Sequence, residues 1–258
     1  MFQAEKLLIS NVMVKLTVSL NPSNATCTLT YNGVSYTTTQ ITVPQGSTVS
    51  YSIYHATYGS KTGSVTLNTN KTLTCVGTYS VTPVTVSWSS PHNLTSNTSN
   101  TSFQVSSSSE YHTASWHVWH AFDGTYGSSA GNNGGCFNGS SKALSNQYWL
   151  FYTPTPVKIT SMTVENRPYV NCAFATMNFY GGDTSSCNNL EGSYTNSTQT
   201  AGSTWTCSWG GTNYYKYHQL YVKSCGTNGT AAPGAREVWL SGYTQSSSYS
   251  YYWNITET

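Results

Sequence analysis

The groups able to do acid–base or nucleophilic chemistry are few and scattered. Only eight Asp and Glu residues occur in the 258-residue chain. No H-E-x-x-H pair, phosphate-cradling loop or dinucleotide fingerprint is present. One G-x-S-x-G string occurs, Gly127-Ser128-Ser129-Ala130-Gly131. That pattern exposes a nucleophile only when an apolar strand precedes the serine and a helix follows it. Here it sits in a Ser/Gly/Asn stretch, so no catalysis is expected from it, and nothing positions a carboxylate pair for glycoside cleavage. His117 and His120 stand three apart beside Trp116 and Trp119. They could hold a transition metal, but no third ligand is evident, and a capped turn packed by tryptophans is the plainer reading. Asp123-Gly124-Thr125 offers a carboxylate, a flexible turn and a hydroxyl, which suit a hard cation. The same carboxylate can instead cap its own turn. These residues predict a protein that is not an enzyme.

Composition narrows the class. Charged residues make up 7% of the chain, against roughly 25% in ordinary soluble domains. Solubility must come from Ser, Thr, Asn and Gly. Aromatics reach 14%, with 21 Tyr, and Tyr, Trp, Val and Thr favour strands. The net charge of +2 comes without a basic stripe, so phosphate neutralisation and nucleic-acid binding are not expected. No apolar run approaches the length of a membrane span. Residues 1–14 lack a convincing signal-peptide core and cleavage site, which predicts a chain not exported by that route or already trimmed. Seven cysteines occur without a C-x-x-C, so neither a zinc ribbon nor a redox motif is indicated.

The elements that must position any site read as strands. Over 15–78, Cys27, Leu29 and Tyr31 alternate with threonines, Asn32-Gly33 signals a hairpin turn, and Val49, Tyr51 and Ile53 alternate again. Period-two patterning broken by turn signals about every ten residues predicts a small β-sandwich. Cys27 and Cys75 fall on apolar strand faces, either as a disulfide or as buried thiols. Pro83, Pro91 and the surrounding serines mark 79–91 as a linker. Residues 92–243 form a second unit, in which Leu220/Val222 and Val238/Leu240 each define an apolar strand face. The Tyr-rich tail, 244–258, either adds a strand to a neighbouring subunit's sheet or returns to its own domain.

Two stretches resemble known families. Residues 16–67, "LTVSLNPSNATCTLTYNGVSYTTTQITVPQGSTVSYSIYHATYGSKTGSVTL", resemble PEGA-type and bacterial immunoglobulin-like modules, usually spacers or adhesive repeats. The ordered blocks "WHAFDGTYG" (119–127), "QYWLFYTPTPVKITSMTVENRP" (147–168), "YYKYHQLYVKSC" (214–225) and "REVWLSGY" (236–243) resemble the discoidin, or coagulation factor 5/8 type C, group of galactose-binding-like domains. The implied fold class is all-β: a small Ig-like sandwich followed by a jelly-roll sandwich. The resemblance also implies a structural calcium held by Asp123 and Glu237. Glu237 would otherwise pair with Arg236 or a lysine. Ligands in that group sit in loops at one end of the sandwich. This points to Tyr126 and Phe137, Arg167 and Tyr169, and Trp209 and Tyr214 as candidate sugar-binding residues. Flat aromatics with planar polar groups suit sugars, although each aromatic could equally serve core packing or a subunit interface. Pro168-Tyr169 follows Arg167 where a fucose-binding branch places x-Asp, so fucose is not the expected ligand.

Low charge, paired β modules and Tyr-rich ends resemble bacteriophage appendage proteins. The expected function is a structural or adhesive part of a virion: tail, baseplate or head decoration. Its expected partners are further copies of itself or other virion proteins, and a glycan. The alternative is a secreted or cell-surface bacterial lectin module.

Overall fold

The structure is a computed structural model that describes residues 12–110, 116–125, 134–137, 143–167, 173–226 and 234–258. It is all-β, as expected, and divides into two compact units, Met1–Pro83 with Ser247–Thr258, and Val84–Ser246.

Unit 1 is a sandwich of two sheets. One contains β1 (Met13–Asn21), β4 (Gln40–Pro44) and the first part of β7 (Lys71–Ser89), with β1 antiparallel to β4 and parallel to β7. The other runs β3 (Val34–Thr37), β2 (Thr26–Tyr31), β5 (Ser47–His55), β6 (Gly59–Leu67). Alternation does the sorting: Val14, Leu16 and Val18 of β1 face Leu29, Val49 and Ile53 in one core. Asn32 and Gly33 both take positive φ, +49° and +78°, the two-residue turn that matches strand twist. Cys27 and Cys75 are buried free thiols. Burial, with the nearby Cys27 sulfur, pushes the Cys75 thiol up to about 11.

Two sequence expectations change here. The stretch 79–91 is strand rather than loop, since β7 continues through Ser89, and the division between the two units, Pro83 to Val84, falls within it. Val81, Val84, Val86 and Trp88 carry the β pattern there, and the proline and serines that suggested a break sit within it. The tail is the end of β15 (Gly234–Glu257) and returns to unit 1. Trp253 enters the unit 1 core and its Nε1 donates to Gly59 O at 3.0 Å. Thr258 and Thr72 exchange main-chain hydrogen bonds, and Lys71 pairs with Glu257.

Unit 2 is also a sandwich, and one strand builds both of its layers. The long β10 (Ala143–Asn166) pairs through its first half with β14 (Tyr215–Cys225) and β8 (Gln104–Ser107). Through its second half it pairs with β15 and β13 (Thr204–Ser208). The switch lies between Tyr152 and Val157, where the register with β14 shifts. Pro154 and Pro156 stand there, and a proline cannot donate to a ladder. β11 (Phe174–Gly182) and β12 (Asn189–Thr195) extend the first layer beyond β14. The short β9 (Gly135–Cys136) pairs with the start of β15. Trp149 and Phe151 from one half of β10 share a core with Ile159, Met162 and Val164 from the other. A 3-10 turn, Val118–Phe122, closes one end with Phe122 fully buried.

Candidate functional site

The strand registers put the candidate residues at two ends of unit 2. Glu165 pairs with both Glu237 and Thr204, so Arg167, Glu237 and the start of β13 lie together. Trp209 N donates to Thr160 O, and Val157 pairs with Tyr215, so Trp209 and Tyr214 lie at the other end. Thr160 and Arg167 are seven residues apart on one strand, about 23 Å at ~3.3 Å per residue. The expectation of a single site built from Arg167, Trp209 and Tyr214 is therefore corrected: one sugar ring cannot reach both ends. Tyr126 and Tyr169 lie outside the described residues, as does the Gly127–Gly131 string. Phe137 is not a loop contact. It is fully buried, with its ring 5.5 Å from Trp149 and 6.0 Å from Phe174.

At the first end, Asn166 is the organiser. It is buried, accepts from Trp205 Nε1 at 2.8 Å, and donates to Thr198 O, Thr200 O and Ser203 Oγ. Arg167 O accepts from Gly202 N at 3.1 Å. The Arg167 guanidinium lies 4.2 Å over the Trp116 ring. Arg236 pairs with Glu165 at 3.0 Å, so it is not the partner of Glu237.

The Glu237 side chain is fully buried beside Asp123 and His92. His92 Nδ1 stands 3.3 Å from Glu237 Oε2, and His120 Nδ1 stands 3.0 Å from Asp123 Oδ2. Asp123 Oδ1 accepts from Thr125 N at 2.8 Å, closing the turn over Gly124. Gly124 has φ +72°, and a Cβ there would lie 2.5 Å from His92 O. Burial raises the Glu237 carboxyl and the facing Asp123 adds to this, outweighing His92. Burial also acts to raise Asp123, but hydrogen bonds from His120, Thr125 and Glu237 outweigh it and hold Asp123 below the usual range. Facing each other, the two carboxyls are thus pushed in opposite directions, Glu237 above and Asp123 below its usual range.

Glu237 Oε1 receives no donor in its buried position. Two facing carboxylates, one with such an oxygen, also suit a hard oxygen-liganded cation. Asp123 and Glu237 are the residues that would hold such an ion. His117 and His120 do not form a metal pair. His117 binds Glu110, His120 binds Asp123 and stacks on Trp119 at 3.6 Å. Among the described residues no group of three or more His, Cys, Asp and Glu could hold a metal ion.

At the second end, Trp209 stacks on Phe179 at 3.7 Å, and Lys158 Nζ lies 5.6 Å from the Tyr214 ring. Two residues that sequence reasoning missed are buried here. The Glu191 side chain is 4% exposed and that of His218 is 5% exposed, with Glu191 Oε2 3.6 Å from His218 Nδ1. An open cleft of about 520 Å³ lies alongside, bounded by Asn188, Asn189, Glu191, Thr212, Asn213 and Tyr215.

No family model and no curated protein matches the chain. Solved structures do resemble it in form. A fucolectin from striped bass (Morone saxatilis) serum is 20% identical with a TM-score of 0.41, covering 55% of this chain. This chain spans about half, 47%, of that protein. The family 32 carbohydrate-binding module of Clostridium perfringens NanJ, solved with galactose, is 15% identical with a TM-score of 0.41, covering 60% of this chain and 99% of that one. The lectin-binding domain of lectinolysin, solved with Lewis b, is 16% identical with a TM-score of 0.41, covering 58% and 97%. At these values none of the three carries an argument about this chain's ligand. The two-sheet form of unit 2 stands on its own strand pairing.

Proposed function

We propose that unit 2 binds carbohydrate without transforming it, through the end that carries Arg167. The observation that carries this reading is the Arg167 guanidinium stacked on Trp116. A sugar offers apolar C–H faces and dense hydroxyls, and an aromatic plane joined to a fixed fork of donors complements both. Asn166 and the Asp123–Glu237 pair make that end stiff, and pre-ordered contacts lose less entropy on binding. In this reading calcium at Asp123 and Glu237 braces the loops. The galactose-binding-like resemblance of the sequence blocks supports the same assignment.

We further propose that the protein is an adhesive or assembly component of a virus particle, working outside the cell in several copies. The sparse charge and the two β-sandwich units support this. Glycan-array binding by the full chain, repeated with Arg167→Ala, tests the first proposal. Binding that the substitution abolishes is expected, and no binding to any glycan sinks it. Sedimentation analysis tests the second. A symmetric oligomer is expected, whereas a monomer that binds glycan points to a free lectin module.

A further inference from the structure

We propose that unit 2 carries a second, separate ligand site at its Trp209 end, shaped for a neutral polyhydroxylated ligand of sugar size. Its deepest contact is a ligand hydroxyl that donates to Glu191 and accepts from the Trp209 indole N–H.

The argument starts from three buried polar atoms without partners. Glu191 Oε1, Glu191 Oε2 and Trp209 Nε1 are shielded from solvent and make no hydrogen bond. A buried polar group left unpaired is expensive, and a charged one more so. His218 does not resolve this. Its Nε2 faces the carbonyls of Val157 and Tyr215, at 3.1 and 3.2 Å. Its Nδ1 is 3.6 Å from Glu191 Oε2, beyond good hydrogen-bond length.

The missing partner can be specified chemically. Two acceptors and one donor stand together, so the complement must both donate and accept. A hydroxyl does both, whereas an ammonium can only donate. The two kinds of atom converge on the space beside Gly211. A Cβ built there would lie 2.7 Å from Ile159 O, 3.6 Å from Trp209 Nε1 and 3.7 Å from Glu191 Oε1. Glu191 is also a shared wall. It bounds the 520 Å³ cleft on one side and, on the other, an apolar core void of about 10 Å³ that it shares with Phe151, Ile159, Phe179, Trp209, His218 and Leu240. The cleft exceeds a single sugar ring.

The outer walls agree with that ligand. Asn189 Nδ2 donates to Gly181 O and Asn213 Nδ2 to the Tyr215 hydroxyl. Both amides are thereby oriented with their oxygens left to accept. Tyr215 supplies an aromatic wall, with its ring against Gly181. Planar amides, a carboxylate and an aromatic face are the usual lining for a neutral polyol. The site uses none of the residues at the Arg167 end, so it can stand or fall without the reading given above.

The test is an amide and indole NMR titration of the full chain with D-galactose, D-glucose, L-fucose and N-acetylglucosamine, each up to about 100 mM, the range for a weak single-sugar site. At least one should shift the Trp209 indole N–H and the Asn213 amide. Glu191→Gln keeps the shape and should weaken that binding about tenfold or more, as loss of a charge-assisted bond does. Trp209→Phe keeps the stack on Phe179 and should weaken it severalfold. Arg167→Ala should leave these shifts unchanged, so failure at one end is read apart from failure at the other. Three outcomes overturn the proposal: no neutral sugar moves the Trp209 signal, Glu191→Gln binds as well as the parent, or glucosamine binds through its ammonium far more tightly than any neutral sugar. The first would mean that a single trapped water serves these atoms.

Discussion

The two ends of unit 2 both bury polar groups but arrange them differently. At the Arg167 end, a hydrogen-bonded hub stands beside three buried atoms without partners, Glu237 Oε1, Arg236 Nε and Arg236 Nη2. Asn166 makes four hydrogen bonds, Arg236 holds Glu165, and Glu237 and Asp123 each face a histidine, His92 and His120. At the Trp209 end, a carboxylate and an indole N–H are buried with nothing to bond. The same core supports both, so the difference lies in the loops. The comparison teaches that unpartnered buried atoms occur at both ends, and that at the Trp209 end they stand beside an open cleft.

The largest expected effect tests that contrast directly. Asn166→Ala removes a hub and strands Trp205 Nε1, and it should cost about 3 kcal/mol in urea denaturation, at ~1–3 kcal/mol for each buried group left unpaired. Glu191→Gln removes a buried charge that has no donor, and it should change stability by less than about 1 kcal/mol or raise it. Equal losses at the two sites would break the comparison.

A middle-sized effect concerns the carboxyl pair. Glu237 is raised above its usual 4.5, so the folded chain keeps a proton that the unfolded chain releases. That contribution is complete below 4.5 and is lost as pH climbs through the raised folded value. Asp123, held below 3.8, adds stability that is present above 3.8 and lost as pH falls through its folded value. Calcium held by Asp123 and Glu237 would compete with protons for the same oxygens, so it should raise the melting temperature more at about pH 7.5 than at about pH 5. At a hundredfold excess over Kd the gain is about 2.7 kcal/mol. Glu237→Gln should abolish the calcium response and flatten the decline above 4.5, leaving the Trp209 end unaffected. A calcium response that survives this substitution would move the ion elsewhere.

The smallest effect is at Lys158, whose ammonium lies 5.6 Å from the Tyr214 ring and 5.8 Å from Tyr243. Lys158→Gln should lower stability by about 0.5–1 kcal/mol, the worth of an exposed cation–π contact. A larger loss would show that the Trp209 end is as tightly built as the other.

Much of this was legible before any coordinates. Period-two alternation marked the strands of both units, and Asn32-Gly33 marked its hairpin, because side-chain facing and turn sterics are local properties. The pairing of Asp123 with Glu237 came from the likeness of ordered blocks. What local patterning could not carry was distance. Trp209 and Arg167 read as neighbours in one loop set, yet a full strand length separates them. His218 could have been found, since it shares the inward phase of Leu220 and Val222 on β14. Glu191 could not, because its burial comes from Trp209 and the Gly210–Gly211 segment, which only tertiary pairing brings over it. Pro83 and its serines marked the division between the units, but not that the chain crosses it as strand, which the flanking valines carry.

The return of Trp253 to the first unit has a consequence for the order of assembly. During translation the ribosome releases residues 12–83 long before 247–258, with all of Val84–Ser246 made in between. At ~5–20 residues per second that gap is on the order of ten seconds or more. Throughout it the early sandwich lacks the indole that fills its core, so the segment made first is the last to be finished.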